Sequence, residues 1–444
     1  MFEPDPSGIK LGPFWIRPGL TRLNAVTVIF GSFFTVATLV FMSLITPYVL
    51  NEIIHIPEDQ QGTVTGRLTL LQEIVTVLLV GLMGAWSDKV GRRFIYSTGF
   101  VILAIAYVVY PLATNETELI IYRLVFAVGV AMTPVMLSAS IQDTPQEVSR
   151  GKWVGFNNIF QGLGVLLIAT LVLSRLPQYY SSIGYDPVMA GRLTFWTASA
   201  VCLFAAVMLR LGLPHGGDAG DEGRGVFGQM RDGLSAGLHN PRLALAYGAA
   251  FIGRGDLVIV GNFLSLWVTQ AGIDRGMSTA DSVGRAAMMF GIVQLAALCS
   301  AFFVGLMSDR INRVSGLMVG LSLAAVGYTT MGVAADPFDG TMIPIAVLLG
   351  LGEVSVIVTA GALLGQEAGT KRRGAIVGIF NLMGAIGIMT IGFAGGLIYD
   401  GIGRSAPFWA MGLLNGALLL AAIVVRTRAG EPEPEPDEPV GELT

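Results

Sequence analysis

Apolar stretches of helix length, parted by short polar breaks, run along almost the whole chain. Residues 23–50, 94–113, 246–253 continuing through 257–268, and 375–398 are nearly free of charge. Crossing a hydrocarbon core of ~30 Å takes about 20 apolar residues in a helix. The pattern predicts twelve spans, at 22–50, 62–86, 93–113, 117–140, 151–174, 191–213, 243–270, 282–307, 313–334, 341–365, 373–399 and 406–426. The longest polar connection, 214–242, is rich in Gly and Asp and follows the sixth span. It reads as an interdomain loop between a bundle at 22–213 and a second at 243–427, with a short segment, 1–21, in front. Residues 428–444 end in the acidic, Pro-rich run EPEPEPDEPVGELT, whose composition predicts disorder.

Composition agrees with this. Of 444 residues 53% are hydrophobic and 13% charged, against roughly 25% charged in soluble domains. The class is an all-α polytopic membrane protein. Cys202 and Cys299 lie inside apolar runs and make no disulfide framework. The first 20 residues hold no short apolar core before a small-residue cleavage site, so no cleavable signal peptide is expected. The net charge of −4 owes much to the tail and says little else.

The placement of Lys and Arg is more telling. With both termini in the cytoplasm, 19 of them fall on the cytoplasmic side and 4 (Arg175, Arg192, Arg275, Arg404) on the other. The positive-inside rule therefore sets both ends inside.

The chain also repeats itself. SDKVGRR (87–93) follows span 2 and SDRINRV (308–314) follows span 8, with Asp88 and Asp309 221 residues apart. Independently, RGKWVGFNN (150–158) opens span 5 and RGAIVGIFN (373–381) opens span 11, at an offset of 223. Two related six-span halves place a substrate at their interface near mid-membrane and give alternating access by rocking.

Twelve spans in two halves, with Gly84-x-x-x-Asp88-Lys-x-Gly91-Arg92-Arg93 between spans 2 and 3, resemble the major facilitator superfamily of secondary transporters. The resemblance runs from about residue 22 to 426. The second copy of the loop departs from it, with Asn312 in place of the glycine and Val314 in place of the last basic residue. An arginine-and-glycine pattern in span 4 is matched in part by Arg123, Gly129 and Ala131, with Phe126 and Ala127 at its remaining positions. The Gly-Pro pair of drug–proton antiporters is missing from span 5, where 161–174 has glycines and no proline.

Charge inside a membrane costs ~2.5 kcal/mol or more and marks function by default. Arg67 and Arg285 lie near span ends, from which they can snorkel. Glu73, Asp256 and Glu353 have no long stem to reach water, so each pairs with a cation, lines an aqueous cavity or carries a proton. Burial favours the neutral carboxyl, which lets such a group load and release a proton as access changes sides. A buried ion pair that serves packing alone is the competing reading. Arg254 and Asp256, two apart, lie ~200° from each other around the helix, so at most one points into a central cavity. By the resemblance, spans 1, 4, 7 and 10 line that cavity, which brings in Arg123, Arg254, Asp256 and Glu353. The candidate coupling and cavity set is thus Glu73, Arg123, Arg254, Asp256 and Glu353, with Asn157, Asn158, Gln161, Gln294 and Asn381 as uncharged candidates. The N-half counterparts of Arg254 and Asp256 fall near Phe33 and Thr35.

The loop residues form a candidate cytoplasmic gate: Gly84, Asp88, Gly91, Arg92, Arg93, Asp309, Arg313, Arg150 and Arg373. By the resemblance, Asp88 faces the N-terminus of span 11, where a carboxylate is stabilised by the helix dipole, and Asp309 faces Arg150. Other chemistries find no support. No Gly-rich stretch ends in Gly-Lys-Ser/Thr, and no His/Cys/Asp cluster has metal-ligand spacing. The expectation is a secondary transporter of a small organic solute, with export of an amphipathic compound ahead of uptake of a polar or anionic one. A non-transporting sensor or assembly factor of the same fold is the third reading. No cofactor beyond a coupling proton or sodium ion is expected, nor any enzyme activity or nucleic-acid partner. The expected setting is a monomer in a bacterial inner membrane.

Overall fold

The computed structural model describes residues 5–214, 226–368 and 373–428; for Asp88, residues 226–232, Asp309 and Arg373 it describes the backbone alone. The acidic tail lies outside the described residues. Twelve helices are long and apolar enough to cross a membrane, in the predicted order: Arg22–Ile53, Glu58–Ser87, Arg92–Leu112, Glu116–Asp143, Glu147–Ser182, Pro187–Gly212, Pro241–Ile273, Thr279–Ser308, Arg313–Val333, Met342–Glu367, Gly374–Gly401 and Ala406–Arg428. They are numbered here as spans 1 to 12. An even number puts both ends of the chain on one side, called the terminal face; the other is the distal face.

Local chemistry fixes the helix starts. The Thr21 and Asn24 side chains close a capping box on span 1, and Asn115, Asp186 and Ser278 each accept a first-turn N–H at spans 4, 6 and 8. Between spans 2 and 3 the chain turns at Gly91, whose φ of 90° suits only glycine without strain. In the second half the same turn is built otherwise. Asn312 keeps a negative φ and accepts from the N–H groups of Val314 and Ser315 at 3.0 and 3.4 Å. The loss of the glycine from the repeat is thereby explained.

Each half is a bundle in which span 3 packs on spans 4 and 6, and span 9 on spans 10 and 12. The bundles meet through two seams, span 2 on span 11 and span 5 on span 8, with span 1 against span 7 between them. Spans 1, 5 and 7 each contain a π-helical stretch, at Val49–Ile53, Val165–Val172 and Ile259–Leu264. Such widened turns are rare and frequent at functional sites.

Two segments depart from expectation. Residues 1–21 hold a hairpin, β1 (Ile9–Leu11) with β2 (Phe14–Ile16), and 214–242 is no simple loop but contains a helix, Val226–His239. The hairpin docks on the loop between spans 4 and 5. Gln146 N–H donates to the Trp15 carbonyl at 2.8 Å, Trp15 N–H to Ser149 Oγ at 2.8 Å, and Phe14 packs edge-on against Trp153. The interdomain helix lies on span 11, so close that a Cβ on Gly233 would stand 2.5 Å from the Ala375 carbonyl oxygen.

Candidate functional site

The two seams are closed at one end only. At the distal end a Cβ added to Gly66 would stand 3.0 Å from the Gly392 carbonyl oxygen, and one on Gly396 2.3 Å from that of Gly62. Along the other seam a Cβ on Gly162 would reach Leu298, and one on Gly291 would reach Thr170. Polar contacts reinforce this end. Asn262 donates to Thr69 Oγ1 at 2.9 Å, Ser265 to the Leu44 carbonyl at 3.1 Å, and Gln270 to Gln61 Oε1 at 3.0 Å. At the terminal end, Gly81 and Gly84 of span 2, Gly151 and Gly155 of span 5, Gly305 of span 8, and Gly374 and Gly378 of span 11 have nothing among the described residues within 4 Å of where a Cβ would be. The bundles therefore bound a cleft that opens on the terminal face.

The floor of that cleft carries charge. Glu73 is one helical turn below Thr69, and Arg254 two turns before Asn262, so both lie just under the seal. Arg254 is exposed and runs along Gly384 of span 11, while Glu73 of the other bundle is buried and within its electrostatic reach.

Asp256, two residues on, is fully buried on the other side of span 7, as the ~200° between them demands. The Asn415 amide of span 12 donates to both its carboxylate oxygens, at 3.1 and 3.3 Å, and the Tyr328 hydroxyl of span 9 stands beside it. Glu353 of span 10 is 1% exposed, lies within electrostatic reach of Asp256, and neither of its oxygens has a hydrogen-bond partner among the described residues. Asp256 and Glu353 thus share the core of the second bundle and do not line the central cleft. Two charges there would be costly on both desolvation and repulsion.

Arg123 is also placed elsewhere than the cavity-lining expectation. It is buried inside the first bundle, its guanidinium 5.3 Å from the Phe126 ring and 5.9 Å from that of Tyr110. Aromatic faces there take the role of a carboxylate. Of the uncharged candidates, Asn157 is buried between spans 1 and 5, accepting from Ser32 Oγ at 2.7 Å. Asn158 and Asn381 are exposed, Gln161 donates to Asn158 at 3.2 Å, and Gln294 is half-buried. Arg67 pairs with Glu116 at 3.1 Å near the distal face, and Arg285 lies over the Phe338 ring.

At the terminal face three of the gate residues make contacts within their own bundles. Arg92 pairs with Asp143, Arg150 with Glu147 at 2.5 Å, and Arg313 donates to the Ser308 carbonyl. The side chains of Asp88, Asp309 and Arg373 lie outside the described residues. Arg93 has partners of its own. The distal seal itself was missed in the sequence. Gln61, Gln270, Asp400 and Arg404 sit at span ends, where polar residues are ordinary, and only their pairing across the bundles gives them meaning, with Tyr399 donating to Gln270 from within the second bundle.

A twelve-span protein in two bundles around a cleft open on one side is built as a membrane transporter. The profile of the Major Facilitator Superfamily matches residues 27–293 and 276–443, and the chain belongs to that family. Among curated relatives, magnetosome protein MamZ of Magnetospirillum gryphiswaldense is 28% identical over 83% of this chain and 57% of its own length. The chain thus spans little more than half of that relative. Tetracycline resistance protein class G of Vibrio anguillarum is 26% identical over 75% of this chain and 79% of that one. Among solved structures, the inward-open xylose transporter XylE from E. coli superposes with a TM-score of 0.68 at 15% identity, covering 93% of this chain and 97% of that one.

Proposed function

We propose that this transporter moves a small organic solute out of a bacterial cell by alternating access, driven by protons, and that its solute is amphipathic. The observation that carries this reading is the pair Glu73 and Arg254, one from each bundle, on the floor of a cleft sealed distally and open on the terminal face. A group that engages both is held by both bundles, so binding and rocking are linked. The Lys/Arg distribution makes the terminal face cytoplasmic, and the cleft is then inward-facing. Similarity to a tetracycline resistance protein supports an amphipathic solute and outward direction. Arg123 lies away from the cleft and leaves Arg254 as the anion anchor among the candidates, which weakens the uptake of an anionic solute.

Coupling belongs to Asp256 and Glu353. Two neighbouring carboxyls with incomplete hydrogen bonding suit a proton that is taken up and released as a bundle changes shape. Span 7 joins the functions, carrying Arg254 toward the cleft, Asp256 into the core and Asn262 into the seal. Asp88 facing span 11, and Asp309 facing Arg150, close the terminal face in the alternate state.

The test uses inside-out vesicles with the protein reconstituted and a panel of amphipathic compounds that includes a tetracycline. An interior-acid gradient is expected to drive accumulation, and Arg254→Ala to lower it at least about tenfold. Accumulation driven by sodium alone, or transport of organic anions in place of amphipaths, would overturn the respective part. Movement of no compound would favour the sensor or assembly reading.

A further inference from the structure

Spans 2 and 11 carry more than a seam. At the distal end, Asp400 of span 11 accepts the N–H of Gly62 at 2.9 Å with Oδ1 and that of Thr63 at 2.6 Å with Oδ2. These are first-turn amides of span 2, which have no partner within their own helix. The acid of one bundle therefore caps a helix of the other, where the helix dipole favours negative charge. The contact is tight enough to require glycine: a Cβ on Gly62 would lie 2.5 Å from Asp400 Oδ1 and 2.7 Å from the Tyr399 ring. Beside it, Arg404 pairs with Glu58 across the bundles at 3.2 Å and with Asp274 in its own at 2.5 Å.

The two spans run antiparallel, so the other end presents the same parts exchanged. There span 2 finishes at Ser87, with Asp88 next along the chain, and span 11 begins at Gly374. A Cβ on Gly81, Gly84, Gly374 or Gly378 of that end would meet nothing within 4 Å among the described residues. Each such helical glycine costs about 1 kcal/mol relative to alanine, and in this conformation no close contact offsets it. Close packing in the alternate conformation would.

From this we infer that Asp400 is the distal member of a reciprocal latch, in which spans 2 and 11 cap each other's N-termini by turns. In the present conformation Asp400 holds the N-terminus of span 2; after rocking, Asp88 holds that of span 11. The spans are about 45 and 42 Å long at 1.5 Å per residue. Their distal ends already touch backbone to backbone while the terminal ends diverge, so rigid rocking breaks one cap as it makes the other. Asp400 is a positioning residue, acting on access and touching no solute. The inference rests on the alternating-access reading, but its test needs no solute, so the two can fail separately.

The test is a distance measurement between spin labels at Thr117→Cys and Thr341→Cys, exposed distal positions on opposite bundles, with Cys202 and Cys299 replaced. Asp400→Ala is expected to lower the short-distance, distally closed population about tenfold relative to the open one. Gly62→Ala, which wedges the same contact without removing charge, must shift it the same way. Asp88→Asn must shift it oppositely, and Asp339→Asn, exposed and distal, must leave it unchanged. A folded Asp400→Ala protein with an unaltered distance distribution would overturn the latch. Should Asp400→Ala fail to fold, an unaltered distribution in Gly62→Ala would do so.

Discussion

The cores of the two bundles answer the same geometric question in opposite ways. Tyr107 and Tyr328 are related by the internal offset of 221, as are Thr35 and Asp256. At these positions of the first bundle the hydroxyls find partners. Thr35 donates to the Gly31 carbonyl at 2.6 Å and shares a hydrogen bond with the Tyr96 hydroxyl, and Tyr107 donates to the Thr38 carbonyl. In the second bundle the place of Thr35 is taken by a carboxylate, a second acid enters from span 10, and the oxygens of Glu353 and that of the Asn415 amide have no partner among the described residues. A satisfied network rigidifies, whereas an unsatisfied one stores an energy that a proton can release. On the proposed coupling, the first bundle serves as a frame and the second as the part that responds.

Four substitutions test that contrast. The largest effect is expected from Glu353→Gln, which removes the titrating group in an equal volume. Gradient-driven transport should fall about a hundredfold, roughly 2.7 kcal/mol of driving interaction, while exchange of labelled for unlabelled solute persists. Equal loss of both activities would make Glu353 structural. Next, Asn415→Leu strips Asp256 of its donor and should destabilise the protein by about 1–3 kcal/mol in thermal unfolding, less so at low pH, where the acid is neutral. A pH-independent loss would argue that the cluster does not titrate. The smallest effect separates the two repeat-related tyrosines. Tyr107→Phe should cost about 1 kcal/mol of stability, one neutral hydrogen bond, and leave the pH profile of transport in place. Tyr328→Phe should displace that profile with little loss of stability, and the reverse assignment would dissolve the distinction between frame and responder.

The spans were legible because hydropathy needs only length and composition, and membranes tolerate little else. The divergence of Arg254 and Asp256 was legible too, since helical phase alone separates residues two apart. Arg123 was not. Its span was known, but which face meets a neighbour's aromatic rings is decided by packing, which no single-helix pattern encodes. The hairpin had a faint signal, Gly12-Pro13 between IKL and FWI, with Gly12 at a φ of +57°. Strands of three residues are too short for alternation to register. The distal seal left no signal because its parts lie 193 to 346 residues apart, from Thr69 and Asn262 to Glu58 and Arg404.

The two docked segments at the terminal face sit on matching places of the internal repeat. Phe14 of the hairpin rests on Trp153 and Phe156, and the interdomain helix rests on span 11 at Ala375 and Ile379. Residues 156 and 379 are related by the offset of 223. Repeat-related surfaces at the mouth of the two halves are thus covered by unlike elements, a β-ribbon in one and a helix in the other. Each cover rests on a helix of one bundle and is set to travel with it.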